Sequence, residues 1–214
     1  MTMNILDYEA NGIEDKKYLE NIFYEQQELM DKYHDIEKSS GLLQTEDCPV
    51  NLHDRKGQAR IKDFCWRVTE EVGEALEANR KKEYDHFIEE LIDGLHFLTE
   101  MTILVGESPD TLFSDVEEED KLSYIINNLC DNKTLPEKVE EFVFRIGTFA
   151  NCLHNKPWKR DMVLTDVTYT KMCLKEVWVS YINLLKYKLD NSEDIWSFYS
   201  RKNQVNKFRQ RSNY

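Results

Sequence analysis

The chain has 214 residues, and 41 Asp and Glu against 28 Lys and Arg give it a formal charge of −13. That length can bury a real core, and so negative a chain is not a general nucleic-acid binder, which needs a basic face to displace counterions. With only 7 Gly and 4 Pro, tight turns are scarce, so a many-stranded sandwich or barrel is disfavoured and long helices are expected.

In chain order, the first helix is expected from about Ile13 to Ile36, stopped by Ser39-Ser40-Gly41. Residues 42–56, with Cys48-Pro49, show no period and read as a loop. Ile61, Phe64, Cys65, Val68, Val72, Ala75 and Leu76 then form the stripe of a second helix packed on a core. Phe87, Leu91, Leu95, Leu98 and Met101 mark a third, closed near Leu104 by Gly106 and Ser108-Pro109. The connector Asn79 to Tyr84 is short enough to force these two into an antiparallel hairpin. Ser108 can cap a helix from Pro109, and Asn132 to Pro136 makes a turn. A helix follows from Pro136 to His154, with Val139, Phe142, Val143, Ile146 and Phe149 apolar. Trp158 falls in a loop. The last strong pattern, about Thr165 to Leu189, precedes a break at Asp190 to Ser192 and a basic tail. No linker separates domains, so the expectation is all-α: one compact helical bundle over 1–214.

Several chemistries are excluded. Neither a G-x-G-x-x-G nor a G-x-x-x-x-G-K-[ST] run is present, which removes the dinucleotide and P-loop readings. Cys48, Cys65, Cys130, Cys152 and Cys173 are odd in number and widely spaced, as in reduced thiols rather than a disulfide framework or zinc site. No stretch approaches about 18 apolar residues, and acidic Asp7 and Glu9 do not suit a signal peptide. The expectation is a cytoplasmic protein (host cytoplasm if viral) with no membrane and no nucleic-acid partner.

The chemistry concentrates in the hairpin. Glu71 and Glu74 lie one turn apart at the edge of the second helix's stripe, and Glu90, Asp93 and Phe97 form a similar line on the third. Carboxylates brought together there are tolerable only with cations, and oxygen ligands without His or Cys suit Mg²⁺, or Mn²⁺ as a substitute. The competing reading is two solvated acidic faces. Gly73 and Gly94, each beside a carboxylate pair, suggest a close approach of backbone or ligand. The tail complements this: from Tyr199 to Tyr214 it carries Arg201, Lys202, Lys207, Arg209 and Arg211 with amides and no acid, donors suited to a polyphosphate. Its alternative is a frayed basic terminus. Glu137-x-x-Glu140 is not followed by a partner E-x-x-D and reads as a surface face or a decayed repeat.

Glu71-x-x-Glu74 followed by Glu90-x-x-Asp93 resembles the E-x-x-E…E-x-x-D signature of the all-α NTP pyrophosphohydrolases, the MazG-like and dimeric dUTPase superfamily. Tyr199-x-x-Lys202-Asn203-x-x-Asn206-x-x-Arg209-Gln210-x-x-Asn213-Tyr214 resembles the Y-x-x-K-N-x-x-N-x-x-R-Q-x-x-G-Y ending of dimeric dUTPases and phage dCTPase/dUTPase enzymes, with Asn213 where the family has Gly. Tyr24 to Ile36 is a weaker third match, to the family's Gln-bearing base-contact segment. The resemblance implies hydrolysis of a deoxynucleoside triphosphate, dUTP and also dCTP, to monophosphate and pyrophosphate by a homodimer. It implies metal at Glu71, Glu74, Glu90 and Asp93, with Glu71 and Glu74 catalytic and Glu74 orienting or deprotonating the attacking water. Lys202, Asn203, Asn206, Arg209 and Tyr214 would grip the phosphates. For the base, Phe97 is a candidate to stack, and Trp66 or the Gln26/Gln27 pair, Gln27 first, to line the pocket. His96 reads as a core or supporting histidine. Two alternatives stay open: a house-cleaning pyrophosphohydrolase for another or modified dNTP, and a non-catalytic helical interaction protein.

Overall fold

A computed structural model describes residues 15–156, 158–160 and 164–211. Eight α-helices and one π turn follow one another, with no strand among the described residues: α1 Tyr18–Ser40, α2 Arg55–Lys81, α3 Tyr84–Val105, α4 Pro109–Leu112, α5 Lys121–Tyr124 running into the π turn Ile125–Leu129, α6 Leu135–Cys152, α7 Val167–Leu185 and α8 Ser192–Arg211. The ends follow local chemistry. Gly41 and Gly106 take left-handed conformations, φ 73° and 86°, and close α1 and α3. The Asp54 side chain accepts from the Lys56 and Gly57 amides to start α2. Thr134 and Glu137 form a capping box at the start of α6.

Two antiparallel hairpins, α2–α3 and α6–α7, are the main packing units, and α1 pairs with α8. The α2–α3 connection is only Lys82 and Glu83, as the short connector required. α3 touches α1, α2, α7 and α8 and is buried on nearly every face from Phe87 to Val105. A helix apolar all round belongs at the centre of a bundle. Polar anchors fix α7 on it: Trp178 Nε1 donates to Thr102 Oγ1 at 2.7 Å, and the Tyr181 hydroxyl donates to the Leu91 carbonyl at 2.7 Å. Ile61, Phe64, Val68, Phe142, Phe149 and Leu174 complete one continuous core.

Several expectations are corrected. The helix expected from Pro109 is a single turn, and the pattern expected over about Thr165 to Leu189 gives the shorter α7, Val167–Leu185. The start expected for α1 at Ile13 lies outside the described residues. Val143, counted on the apolar face of α6, is exposed. The basic tail is the helix α8, docked through fully buried Ile195, Tyr199 and Asn203. The two glycines part company: a Cβ at Gly94 would collide with the Tyr181 hydroxyl and lie 3.1 Å from Glu71 Cβ, whereas nothing lies near Gly73. Gly94 is therefore what lets α2, α3 and α7 close on one another at the level of the carboxylates. The five cysteines are free, and no helix among the described residues is long and apolar enough to cross a membrane.

Candidate active site

The α2–α3 hairpin brings Glu71, Glu90 and Asp93 together, with one carboxylate oxygen of each within 4.8 Å of the others. Glu90 is buried, and Glu71 and Asp93 are half-buried. The site is electrostatically loaded. Burial, then Asp93, Glu90 and Glu74, pushes the Glu71 carboxyl up to about 8. Burial also raises Asp93, although Lys202 opposes the shift through an ion pair of 2.6 Å. At the rim, His86 Nδ1 lies 3.1 Å from Glu90 Oε1. Glu74 is exposed one turn along α2, outside this three-carboxylate group yet near enough to act on Glu71.

The cluster opens into a pocket of about 320 Å³. Gln26, Leu29 and Tyr33 come from α1, Arg67 and Glu71 from α2, Asp93, His96, Phe97 and Glu100 from α3, and Asn206 and Arg209 from α8. Four helices from both ends of the sequence thus build one cavity. A larger open groove of about 700 Å³, between the end of α2, the start of α6 and Tyr187, holds none of the α2–α3 carboxylates or α8 donors and has a mostly apolar lining.

Phe97 sits edge-on to Phe64 at 6.3 Å, with the Arg67 guanidinium 5.7 Å from its ring centre and 2.6 Å from Glu37. His96 stacks on Tyr199 at 4.0 Å and its Nδ1 lies 2.8 Å from the Ile92 carbonyl. That bond makes Nδ1 the donor and leaves Nε2 an acceptor, buried with no hydrogen-bond partner. Burial holds the ring neutral, down to about 4. Gln26 is gripped at both ends: its Nε2 donates to Glu100 at 3.0 Å, and its Oε1 accepts from the Tyr199 hydroxyl at 2.8 Å. Burial raises Glu100 to about 7, against the pull of Arg60.

The expected site residues are thus distributed unevenly. Phe97, Asn206 and Arg209 line the pocket with Glu71 and Asp93, and Lys202 reaches Asp93. Asn203 is fully buried between α8 and α1, where its amide donates to the Glu25 carbonyl at 3.2 Å. Trp66 is exposed and Gln27 half-buried, and neither lines the pocket; Gln26, the other member of the expected pair, does, as does Arg67 next to Trp66. Tyr214 lies outside the described residues. Tyr33, Arg67 and Glu100 were not legible as site residues: none repeats an apolar period or a carboxylate spacing.

The family model described as dUTPase matches residues 18–214, a stretch that includes every helix lining the pocket. The chain belongs to the dUTPase family. No curated protein and no solved structure matches it. Membership makes this dUTPase-family chain a hydrolase of the nucleoside triphosphate pyrophosphatase type with a nucleotide substrate. The dUTPase match takes in the whole of α8.

Proposed function

We propose that this chain is a Mg²⁺-dependent pyrophosphohydrolase that converts dUTP to dUMP and pyrophosphate, with dCTP as its second substrate. The observation that carries the reading is the continuity of the Glu71–Glu90–Asp93 cluster with a nucleoside-sized pocket. The donor set suits a hard divalent cation: three carboxylates, no thiolate or imidazole among them, and a Glu71 carboxyl that cannot stay ionised beside its neighbours without compensation. Glu71, Glu90 and Asp93 would hold the ion, with Glu74 at the exposed edge. A divalent cation there neutralises phosphate charge and makes water a better nucleophile.

The rest is done by the chain. Lys202, Asn206 and Arg209 present ammonium, amide and guanidinium donors along one face of α8, one turn or so apart, as a run of phosphates requires. Asn203, on the same helix, holds α8 against α1 so that these donors keep their register. Glu74 accepts the proton of the attacking water as its oxygen bonds to the α-phosphorus and pyrophosphate departs. Phe97 offers its ring to the base, Leu29 excludes water, and the unpaired His96 Nε2 accepts from a sugar hydroxyl. Positioning and charge neutralisation carry phosphoryl transfer, so no nucleophilic side chain is needed. The family resemblance supports a homodimer, and exposed Val143, Phe144 and Met172 on α6 and α7 supply apolar surface for one; light scattering is expected to give twice the chain mass.

Pyrophosphate release from each dNTP, measured on purified protein with Mg²⁺, tests the proposal. The highest kcat/KM is expected for dUTP and the next for dCTP. A preference for a purine or modified nucleotide would replace this reading with a house-cleaning role.

A further inference from the structure

A side-chain amide is an ambiguous recognition element, because turning it over exchanges its donor and its acceptor. Gln26 lines the nucleoside pocket, and its amide has a hydrogen-bond partner at each end. Those partners differ in kind. At the carbonyl end stands the Tyr199 hydroxyl, which can donate or accept and so tolerates either orientation. At the nitrogen end stands the Glu100 carboxylate, 3.0 Å away, which when ionised can only accept and therefore admits only the –NH₂ group.

We propose that Glu100 is a specificity-positioning residue: it fixes the orientation of the Gln26 amide, so that the pocket presents one N–H donor and one carbonyl acceptor in a set order to the pyrimidine edge. Uracil and cytosine differ there, uracil pairing an N–H with a carbonyl where cytosine pairs a bare ring nitrogen with an amine. A locked amide matches one order and opposes the other, and a site built to hydrogen-bond discriminates strongly because a mismatch leaves buried groups unpaired. The inference rests on the proposed pyrimidine-triphosphate reading and says which residue sets its selectivity.

The surroundings fit this role. Glu100 is 4% exposed, on the central helix α3, where α1, α2 and α8 hold its position. Arg60 and Arg67 of α2 favour its ionised form, while burial and Glu37 of α1 oppose them. Arg60 is itself buried, its Nη2 3.3 Å from Glu37 and its Nη1 donating to the Thr45 carbonyl at 3.0 Å, so Glu100 feels its charge through space and shares it with Glu37. A buried carboxyl costs stability, and a structural role here would be filled as well by a neutral amide. What a neutral amide cannot do is refuse the carbonyl of Gln26.

The test compares kcat/KM for dUTP and dCTP in wild type, Glu100→Gln and Tyr199→Phe at about pH 8.5, above the value of the Glu100 carboxyl. Glu100→Gln keeps shape and volume but returns the freedom to flip. Its ratio of the two specificity constants is expected to fall by about tenfold or more, through KM for the favoured base and with little change in kcat. Tyr199→Phe keeps the stack on His96 and leaves Glu100 in charge, so its ratio is expected to stay within about threefold of wild type. In a Gln26→Met background, Glu100→Gln should have no further effect on the ratio. An unchanged ratio in Glu100→Gln overturns the inference. If that variant does not fold, a collapsed ratio in Tyr199→Phe overturns it instead. Wild type that hydrolyses neither pyrimidine triphosphate would overturn the underlying reading, whereas a pyrimidine-selective wild type with an indifferent Glu100→Gln overturns only the role of Glu100.

Discussion

Glu71-x-x-Glu74 on α2 and Glu137-x-x-Glu140 on α6 share a spacing, a helical setting and an antiparallel neighbour. On α6, Glu137 turns back to the Thr134 hydroxyl and amide, at 2.6 and 2.9 Å, and these bonds hold its carboxyl below the usual range. Glu140 edges an open groove. On α2, Glu71 faces the acids of α3 and is driven the other way, to about 8. The spacing is the same; what differs is whether the opposite helix presents donors or more carboxylates. A pair whose charge is already satisfied locally makes a helix end, and one that is left in conflict is suited to a cation.

The largest expected effect comes from removing the conflict. Glu71→Gln and Asp93→Asn are each expected to lower turnover by about a hundredfold or more with the helical spectrum unchanged, while Glu137→Gln leaves kcat/KM as it is. In chelator the same Glu71→Gln should melt above wild type, since it relieves like-charge repulsion, and added Mg²⁺ should raise the melting point of wild type more than that of the variant. A Glu71→Gln protein that melts lower in chelator would erase the contrast with α6.

Next in size are the donors of α8. Lys202→Met and Arg209→Ala are expected to raise KM for the triphosphate by about tenfold each, read from initial rates, with smaller changes in kcat. Point changes are the right probe. Deleting residues 199–211 would strip fully buried Tyr199 and Asn203 from the core as well as the phosphate donors.

That helix also marks the limit of what was legible. The hairpin could be read because its stripe, Ile61 to Leu76 against Phe87 to Met101, is apolar at helical period, and the carboxylates stand at fixed offsets beside it. α8 docks instead through Tyr199, Asn203 and Asn206, and a hydropathy pattern counts two of those three as surface. Glu100 was obscured in the same way, as a buried polar group whose partner, Gln26, lies far along the chain. Trp66 and Gln27 show the converse, being one residue from Arg67 and Gln26, which do line the pocket. One residue of helix turns a side chain by about 100°, enough to exchange pocket for solvent.

A smaller effect is the pH dependence of stability. Glu100 has a folded value of about 7 against an ordinary 4.5, so the native state holds its proton more tightly than the unfolded chain does. Its contribution is therefore fully present below about 4.5 and is lost as the pH climbs to 7, by up to about 3 kcal/mol. Glu100→Gln should remove that slope, melting above wild type at pH 8 by more than at pH 5. His96 acts in the opposite sense: held neutral down to about 4 against 6.5 unfolded, it withdraws stability as the pH falls through that window. Smallest of all, Glu137→Ala should lower the melting temperature slightly through the lost capping box, with turnover untouched.

Pyrophosphate release from dUTP by wild type and by Glu71→Gln, each with Mg²⁺ and with chelator, reaches the carboxylate cluster most directly. Turnover is expected only from wild type with Mg²⁺. Equal turnover by the variant, or turnover that survives the chelator, would contradict the assignment of these acids to a catalytic cation.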